Sequence, residues 1–252
     1  MKKLLICLAA VTFFSSCEND NETSGLSAIT NYPVITVTGD EVMFVPVGGT
    51  FNDPGAVALE GENEIPTVVT AEGQYRGENT LNTNVADIYN ISYTATNQDG
   101  FNGTETRQVV VYETSDLVTG LEGLYTSTVF RNGVQPTGNP EDYTDIEYIL
   151  IWQNEDGSYE FSDAFGGWYV YGRGLGVGYA SQGGTFTANN IAANDFTFGP
   201  SFTNSGFGGE ANITGINVDP ANNQITVDVV WVASPETTYN FQYVLTQVQP
   251  QP

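Results

Sequence analysis

The sequence predicts an all-β protein of two consecutive units, a Greek-key sandwich followed by a barrel or sandwich of roughly eight to ten antiparallel strands. Three observations carry this. Short runs of alternating apolar and polar residues recur along the chain, as in Ile88-Tyr89-Asn90-Ile91-Ser92-Tyr93-Thr94-Ala95, where Tyr89, Ile91, Tyr93 and Ala95 share one face. Clusters of Gly, Asn, Asp and Pro separate the runs, as tight turns require. No long stretch carries apolar residues at helical spacing.

Residues 1–16 read as a secretion signal. Lys2 and Lys3 precede an uncharged apolar segment, residues 4–14, and Ser15-Ser16 lead into Cys17. At ~1.5 Å per residue the segment is too short to cross a ~30 Å hydrocarbon core comfortably. The small residues ending in a cysteine resemble the lipobox of bacterial lipoproteins. That resemblance implies cleavage before Cys17, acylation of its thiol and a lipid anchor in the outer membrane, stabilised by ~0.8 kcal/mol per buried CH₂. Residues 17–28 follow as an acidic, turn-rich tether (Glu18-Asn19-Asp20-Asn21-Glu22), too polar to fold alone and roughly 19 Å from end to end as a flexible coil. Acids directly after such a cysteine also resemble the surface-export signal of Bacteroidota lipoproteins, which implies exposure on the cell surface.

Composition narrows the chemistry. With 30 acidic and 6 basic side chains the formal net charge is −24. Beyond the signal the only cations are Arg76, Arg107, Arg131 and Arg173. Nucleic-acid binding needs clustered Lys and Arg and is excluded; anionic headgroups repel such a chain, so acyl chains make the membrane contact. The sequence has no histidine, Cys7 lies in the signal and Cys17 is assigned to the lipid. His general bases, Cys–His or Ser–His pairs and the usual zinc sites are therefore absent. No cofactor, metal or catalytic residue is expected. A glycosidase using Glu160 and Asp163 would need carboxyls ~5–5.5 or ~6.5–9.5 Å apart, for which the sequence offers no sign. The chain is expected to bind rather than to catalyse.

The first unit spans residues 29–114. Pro33–Thr38 begins a strand, Gly39-Asp40 turns and Val42–Val47 returns. Asp53-Pro54-Gly55 is a turn in which Pro presets φ and Gly supplies a positive φ. Ala56–Leu59 and Thr67–Thr70 are further strands, Ile88–Ala95 alternates, Asn97-Gln98-Asp99-Gly100 turns, and Thr106–Tyr112 closes the unit. Asp53, Asp87 and Asp99 could be oxygen ligands for calcium, but their spacing follows no calcium-loop pattern and turn formation explains them. The runs Gly49-Thr50-Phe51-Asn52-Asp53-Pro54-Gly55-Ala56-Val57-Ala58, Tyr93–Gly100 and Arg107–Val111 resemble the bacterial Ig-like modules of Bacteroidota surface lipoproteins. The resemblance implies an Ig-like spacer. Asn97 stands where an acid is common in such modules. A polar hinge at Glu113-Thr114-Ser115-Asp116 is the expected boundary, where proteolysis would release two folded pieces.

The second unit spans residues 117–249. Leu121–Phe130, Tyr143–Trp152, Ser158–Asp163, Gly184–Ala188, Asp195–Phe198, Ala211–Val218, Gln224–Val232 and Tyr239–Val248 read as strands, with Asn154-Glu155-Asp156-Gly157 a hairpin turn. Closure or stacking would remove exposed strand edges. Gly166–Tyr179 stands out. If extended, it sets Trp168 and Val170 beside Gly172, Gly174, Gly176 and Gly178 on one face, with Tyr169, Tyr171, Arg173 and Tyr179 on the other. Glycines inside a strand mark either strong curvature with rings packed over them or a trough for a sugar or acyl chain. The loop carrying Phe202 and Phe207 is aromatic and glycine-rich, as ligand rims often are. The candidate ligand-binding residues are Trp168, Tyr169, Tyr171, Arg173, Tyr179, Phe202 and Phe207. Trp152 and Trp231 lie among aliphatic neighbours and read as core.

Gly120-Leu121-Glu122-Gly123-Leu124-Tyr125, Gly157-Ser158-Tyr159, Gly166-Gly167-Trp168-Tyr169 and Tyr239–Thr246 complete a resemblance to two-domain lipoproteins found beside starch-utilisation-type outer-membrane systems. It implies a lipocalin-like second domain and uptake proteins of the same system as partners. Aromatic rings for sugar CH faces, with Asp, Asn, Gln and Arg for hydroxyls, fit carbohydrate binding. The alternative is a hydrophobic small molecule or lipid, which would need a continuous apolar lumen.

Overall fold

The computed structural model describes residues 30–248; the expected signal and the whole of the expected tether, Cys17 included, lie outside the described residues. The first unit has seven strands, β1 (Pro33–Val37), β2 (Val42–Pro46), β3 (Ala56–Glu60), β4 (Asn63–Ile65), β5 (Thr67–Gly73), β6 (Asp87–Thr96) and β7 (Asn102–Tyr112). They form two sheets, ordered β1-β3-β4 and β2-β7-β6-β5. Between the sheets sit Tyr89, Ile91 and Tyr93 of β6 with Val109 and Val111 of β7, the face that the alternation predicts.

The expected return of Val42–Val47 onto Pro33–Thr38 does not occur. β1 pairs antiparallel with β3, and β2 runs parallel to β7 in the other sheet. The chain changes sheets at this corner because Arg107 of β7 reaches into it. Its guanidinium donates to the carbonyls of Thr38 and Asp40 and pairs with Asp53, so the corner's acceptors are satisfied without a hairpin ladder. Asp53 also accepts the N–H of Gly55 at 2.9 Å, in the expected turn, with Gly55 at φ 79°. Asn97 shows why an amide suits its place: its Nδ2 donates to the Asn31 carbonyl at 2.8 Å, which a carboxylate could not do.

The second unit has nine strands: β8 (Gly123–Arg131), β9 (Ile146–Gln153), β10 (Tyr159–Phe161), β11 (Thr185–Asn190), β12 (Asp195–Phe198), β13 (Phe202–Asn204), β14 (Gly208–Asp219), β15 (Gln224–Ser234) and β16 (Thr237–Gln247). They make one antiparallel sheet, ordered β12-β11-β10-β9-β8-β16-β15-β14-β13. The sheet curls into a half-barrel. Its end strands β12 and β13 are only four and three residues long, which limits exposed edge. A side chain bridges the gap: Asn194, in the turn before β12, accepts the Val218 N–H of β14 at 2.6 Å.

The hollow of the half-barrel is filled. Inward residues such as Tyr125, Ile149, Phe161, Phe186, Val227 and Tyr243 meet Phe165, Trp168 and Tyr169, which come from the connection between β10 and β11. This connection is where the structure departs most from expectation. Residues 168–179 are not a strand with a bare glycine strip. Trp168–Gly172 forms a π-helical turn, closed by Gly172 N–H to Gly167 O at 3.1 Å and Arg173 N–H to Trp168 O at 3.0 Å, and Val177–Tyr179 forms a 3₁₀ turn. Gly174 and Gly176 sit at φ 62° and 81°, outside any strand geometry, so they turn the chain instead of baring it. Gly166, at φ 62°, crosses directly over Tyr243, where a Cβ would lie 2.6 Å from the ring's Cγ.

The two units share an apolar interface. Ile88, Val110 and Tyr112 on the outer face of β6 and β7 cluster with Leu124, Leu150 and Trp152 on the outer face of β8 and β9. Phe44 meets Tyr148 edge-on at 5.5 Å, and the Arg76 guanidinium lies 5.1 Å from the Trp152 ring centroid. Tyr75 and Tyr171 share a hydrogen bond of 3.0 Å between their hydroxyls, and Gln182 Nε2 donates to the Tyr75 carbonyl at 2.8 Å. The polar stretch at 113–116 thus runs beside a packed apolar face, and a large apolar interface is the condition under which joined domains move together.

Candidate functional site

The site is assembled at one rim of the half-barrel by three pieces of chain. The first is the β15–β16 hairpin, whose register sets Trp231 opposite Tyr239. Their rings stack at 5.6 Å and 28°. A bulge between Val232 and Ser234 breaks the alternation there and opens the rim. The second is the loop between β13 and β14. Asn204 accepts the N–H groups of Gly206 and Phe207, at 3.1 and 2.8 Å, and donates through Nδ2 to the Tyr179 carbonyl at 2.6 Å. Gly206 lies so close to the Tyr179 ring that no side chain fits.

The third piece is the π-helical turn, which presents Tyr169. The ring of Phe207 packs edge-on against Tyr169 at 5.0 Å and tilted on Tyr179 at 5.0 Å, yet Phe207 remains 51% exposed. An exposed ring held on two sides is a preformed platform.

Together Tyr169, Phe207, Trp231, Ser234, Thr237 and Tyr239 line a cleft of about 330 Å³. Trp231 spends its indole N–H on the Gly208 carbonyl at 3.0 Å, which fixes the ring. Arg131, at the end of β8, stands behind the wall. Its guanidinium carbon lies 4.7 Å from the Tyr239 ring centroid and 4.8 Å from that of Trp168, and its Nη1 donates to the Tyr169 hydroxyl at 3.3 Å. Burial raises the Tyr169 phenol above its ordinary pKa and Arg131 opposes the shift, so the hydroxyl stays protonated at neutral pH. Aromatic faces with a few hydroxyls, backed by one guanidinium, can stack and orient a polar ring; no nucleophile–base pair lines the cleft.

The candidate residues separate into three groups. Tyr169 and Phe207 line the cleft, Tyr179 supports Phe207, and Arg173 is exposed at the end of the π-helical turn. Trp168 and Phe202 belong to the core. Tyr171 faces the first unit through Tyr75. Arg131, Trp231 and Tyr239 were not among the candidates. The signal for the last two was present: the Ser234-Pro235-Glu236-Thr237 turn brings them level, but the valines around Trp231 make it read as core alone.

Other candidate groups are committed elsewhere. Asp163 is fully buried and accepts the N–H groups of Phe165, Gly167 and Ser181 at 3.0 to 3.1 Å; burial raises its pKa against those bonds. Glu160 accepts the Gly183 N–H at 3.1 Å. Asp87 accepts the N–H groups of Tyr75, Arg76 and Ile88. Among the described residues no group of three acidic side chains gathers as a metal site. A larger hollow, about 830 Å³, lies where the 113–120 segment crosses between the units, but Glu113, Asp116 and Glu122 line it and it has no exposed aromatic platform.

Comparison with known proteins agrees with this architecture. A family model for "Bacterial surface protein, Ig-like domain" matches residues 35–111, and a model described as a "-like, C-terminal domain" matches residues 114–247. The crystal structure of a lipoprotein from Bacteroides thetaiotaomicron is similar, at 28% sequence identity and a TM-score of 0.59, over 86% of this chain and 100% of that one. No curated protein matches the chain.

Proposed function

Because the chain belongs to the family whose C-terminal-domain model covers residues 114–247, we propose that it is a lipid-anchored surface protein that binds a carbohydrate in the Phe207–Trp231–Tyr239 cleft. It acts by binding rather than catalysis, as an accessory to glycan uptake across the outer membrane, with uptake proteins of the same system as partners. The observation that carries the reading is Phe207, an exposed ring locked by Tyr169 and Tyr179 beside the stacked Trp231–Tyr239 pair. Sugars present CH faces that stack on such rings, while Ser234, Thr237 and the Tyr239 hydroxyl supply polar partners at the rim. The half-barrel interior is occupied by side chains, which leaves little support for a lipid held in a lumen.

In affinity gels loaded with plant and host polysaccharides, the protein should be retarded by at least one. Phe207→Ala and Tyr239→Ala should each weaken that binding by roughly 1–3 kcal/mol, the range for base–aromatic stacking, with the fold intact. Equal mobility in every gel, together with co-purified lipid, would favour the hydrophobic-ligand alternative.

The anchor is tested separately. Cys17→Ala should abolish incorporation of a radioactive fatty acid and release the protein from the membrane fraction, since stable anchoring needs more than one acyl chain. Undiminished label in that variant would remove the lipobox reading.

A further inference from the structure

We infer that the cleft selects an acidic sugar, one bearing a carboxylate or sulfate, and that Arg131 is the group that receives the anion. The inference rests on the carbohydrate reading and names its ligand class. It starts from scarcity. In residues 30–248 there are four cationic side chains. Arg107 is buried and paired with Asp53. Arg76 lies on Trp152 in the interface between the units. Of the remaining two, Arg131 touches two residues of the cleft wall, Tyr169 and Tyr239, and Arg173 is exposed at the end of the π-helical turn. Among the described residues neither forms an ion pair.

The setting of Arg131 is what makes it a receptor rather than a stray charge. Its planar guanidinium is held against two rings, Trp168 at 4.8 Å and Tyr239 at 4.7 Å. Ring faces attract a cation but accept no hydrogen bonds in its plane. Of its five N–H donors, one goes to the Tyr169 hydroxyl, at a long 3.3 Å. The fork is thus oriented in advance, and its geometry matches a carboxylate or sulfate edge. Tyr169 and Tyr239, which hold it, also line the cleft, so the half-buried Arg131 stands one side chain away from a sugar stacked on Phe207 or Tyr239.

The rest of the molecule sharpens the argument. A chain of net charge −24 repels anionic polymers at long range. A preference for an acidic glycan therefore has to come from a local site, and Arg131 is the uncommitted cation beside this rim.

The test uses charge-matched polysaccharides with the whole protein: polygalacturonate against its methyl-esterified form, and dextran sulfate against dextran. Each pair shares its backbone and differs in charge, and the two pairs separate carboxylate from sulfate. At least one anionic member should bind about tenfold or more tightly than its neutral partner. Arg131→Gln should bring the anionic member down to the affinity of the neutral one, and Arg131→Lys, which keeps the charge and loses the fork, should retain part of the preference. Exposed Arg173→Gln should lower anionic affinity less. Equal affinity for charged and neutral members, or full preference retained in folded Arg131→Gln, would overturn the inference and leave the carbohydrate reading standing. Should Arg131→Gln fail to fold, the wild-type comparison and Arg131→Lys still decide. Binding to no polysaccharide of the panel would instead remove the carbohydrate reading itself.

Discussion

Trp168→Ala is expected to destabilise the protein by about 3–5 kcal/mol, the usual cost of deleting a buried tryptophan. The residue is 1% exposed. Its indole packs on Tyr143 at 4.2 Å and edge-on to Phe241 at 5.8 Å, and it carries one face of the Arg131 guanidinium. Removing it leaves a cavity where the π-helical turn meets the half-barrel. With roughly 2–4 °C per kcal/mol for a chain of this size, the melting temperature should fall by about 6–20 °C, read by circular dichroism. A fall of under two degrees would mean that the indole is not core. Trp168→Phe keeps most of the volume and should cost less. Any binding lost in Trp168→Ala would then reflect a collapsed wall and a released Arg131, not a lost contact with ligand, which is why Phe207 and Tyr239 are the residues that test the site.

Leu150→Ala should weaken both units at once. Leu150 belongs to β9 of the second unit, is fully buried, and points at Ile88, Val110 and Tyr112 of the first. Truncation of a buried leucine costs about 2–5 kcal/mol. Because the cavity lies between the units, amide hydrogen exchange should quicken in β6 and β7 as well as in β8 and β9. Wild type should accordingly unfold in one calorimetric transition, and proteolysis near 113–116 should not release two independently folded fragments. Two resolved transitions, with exchange in β6 and β7 unmoved by Leu150→Ala, would show that the interface does not couple the units.

Both predictions start from apolar runs in which neighbouring residues are hydrophobic. Val109-Val110-Val111-Tyr112 and Ile149-Leu150-Ile151-Trp152 lack the alternation of half-exposed strands. Each run is buried on both faces: Val109 and Val111 enter the sandwich, Ile149 and Ile151 enter the half-barrel, and the residues between them meet one another. The runs are visible in the sequence as strands buried on two sides. That they are each other's cover is not, because pattern records how many faces are dry and not what dries them.

The rim follows the same division. Trp231 alternates with Val229 and Val227, and by that rule alone its ring is core; it is indeed buried, at 3% exposure, yet it forms the cleft floor with Tyr239. The glycines of 166–178 were legible as unusual, but a glycine run fits a bare strand face and a series of tight turns equally well until φ is known. Arg131 carried no local signal at all. Its partners Trp168, Tyr169 and Tyr239 are 37, 38 and 108 residues away in sequence.

The all-β class, six of the seven strands of the first unit, the turn at Asp53-Pro54-Gly55 and the strand faces of β6 are legible in the chain alone, because period-two alternation and positive-φ glycines are local properties; the short β4 carries no such pattern. Only the tertiary structure decided that β1 and β2 part into different sheets, that the connection between β10 and β11 fills the half-barrel, and which aromatic rings remain at the rim. Burial is a property of pairs of surfaces: an aromatic side chain has the same local signature whether the space beside it is filled by another ring or left open.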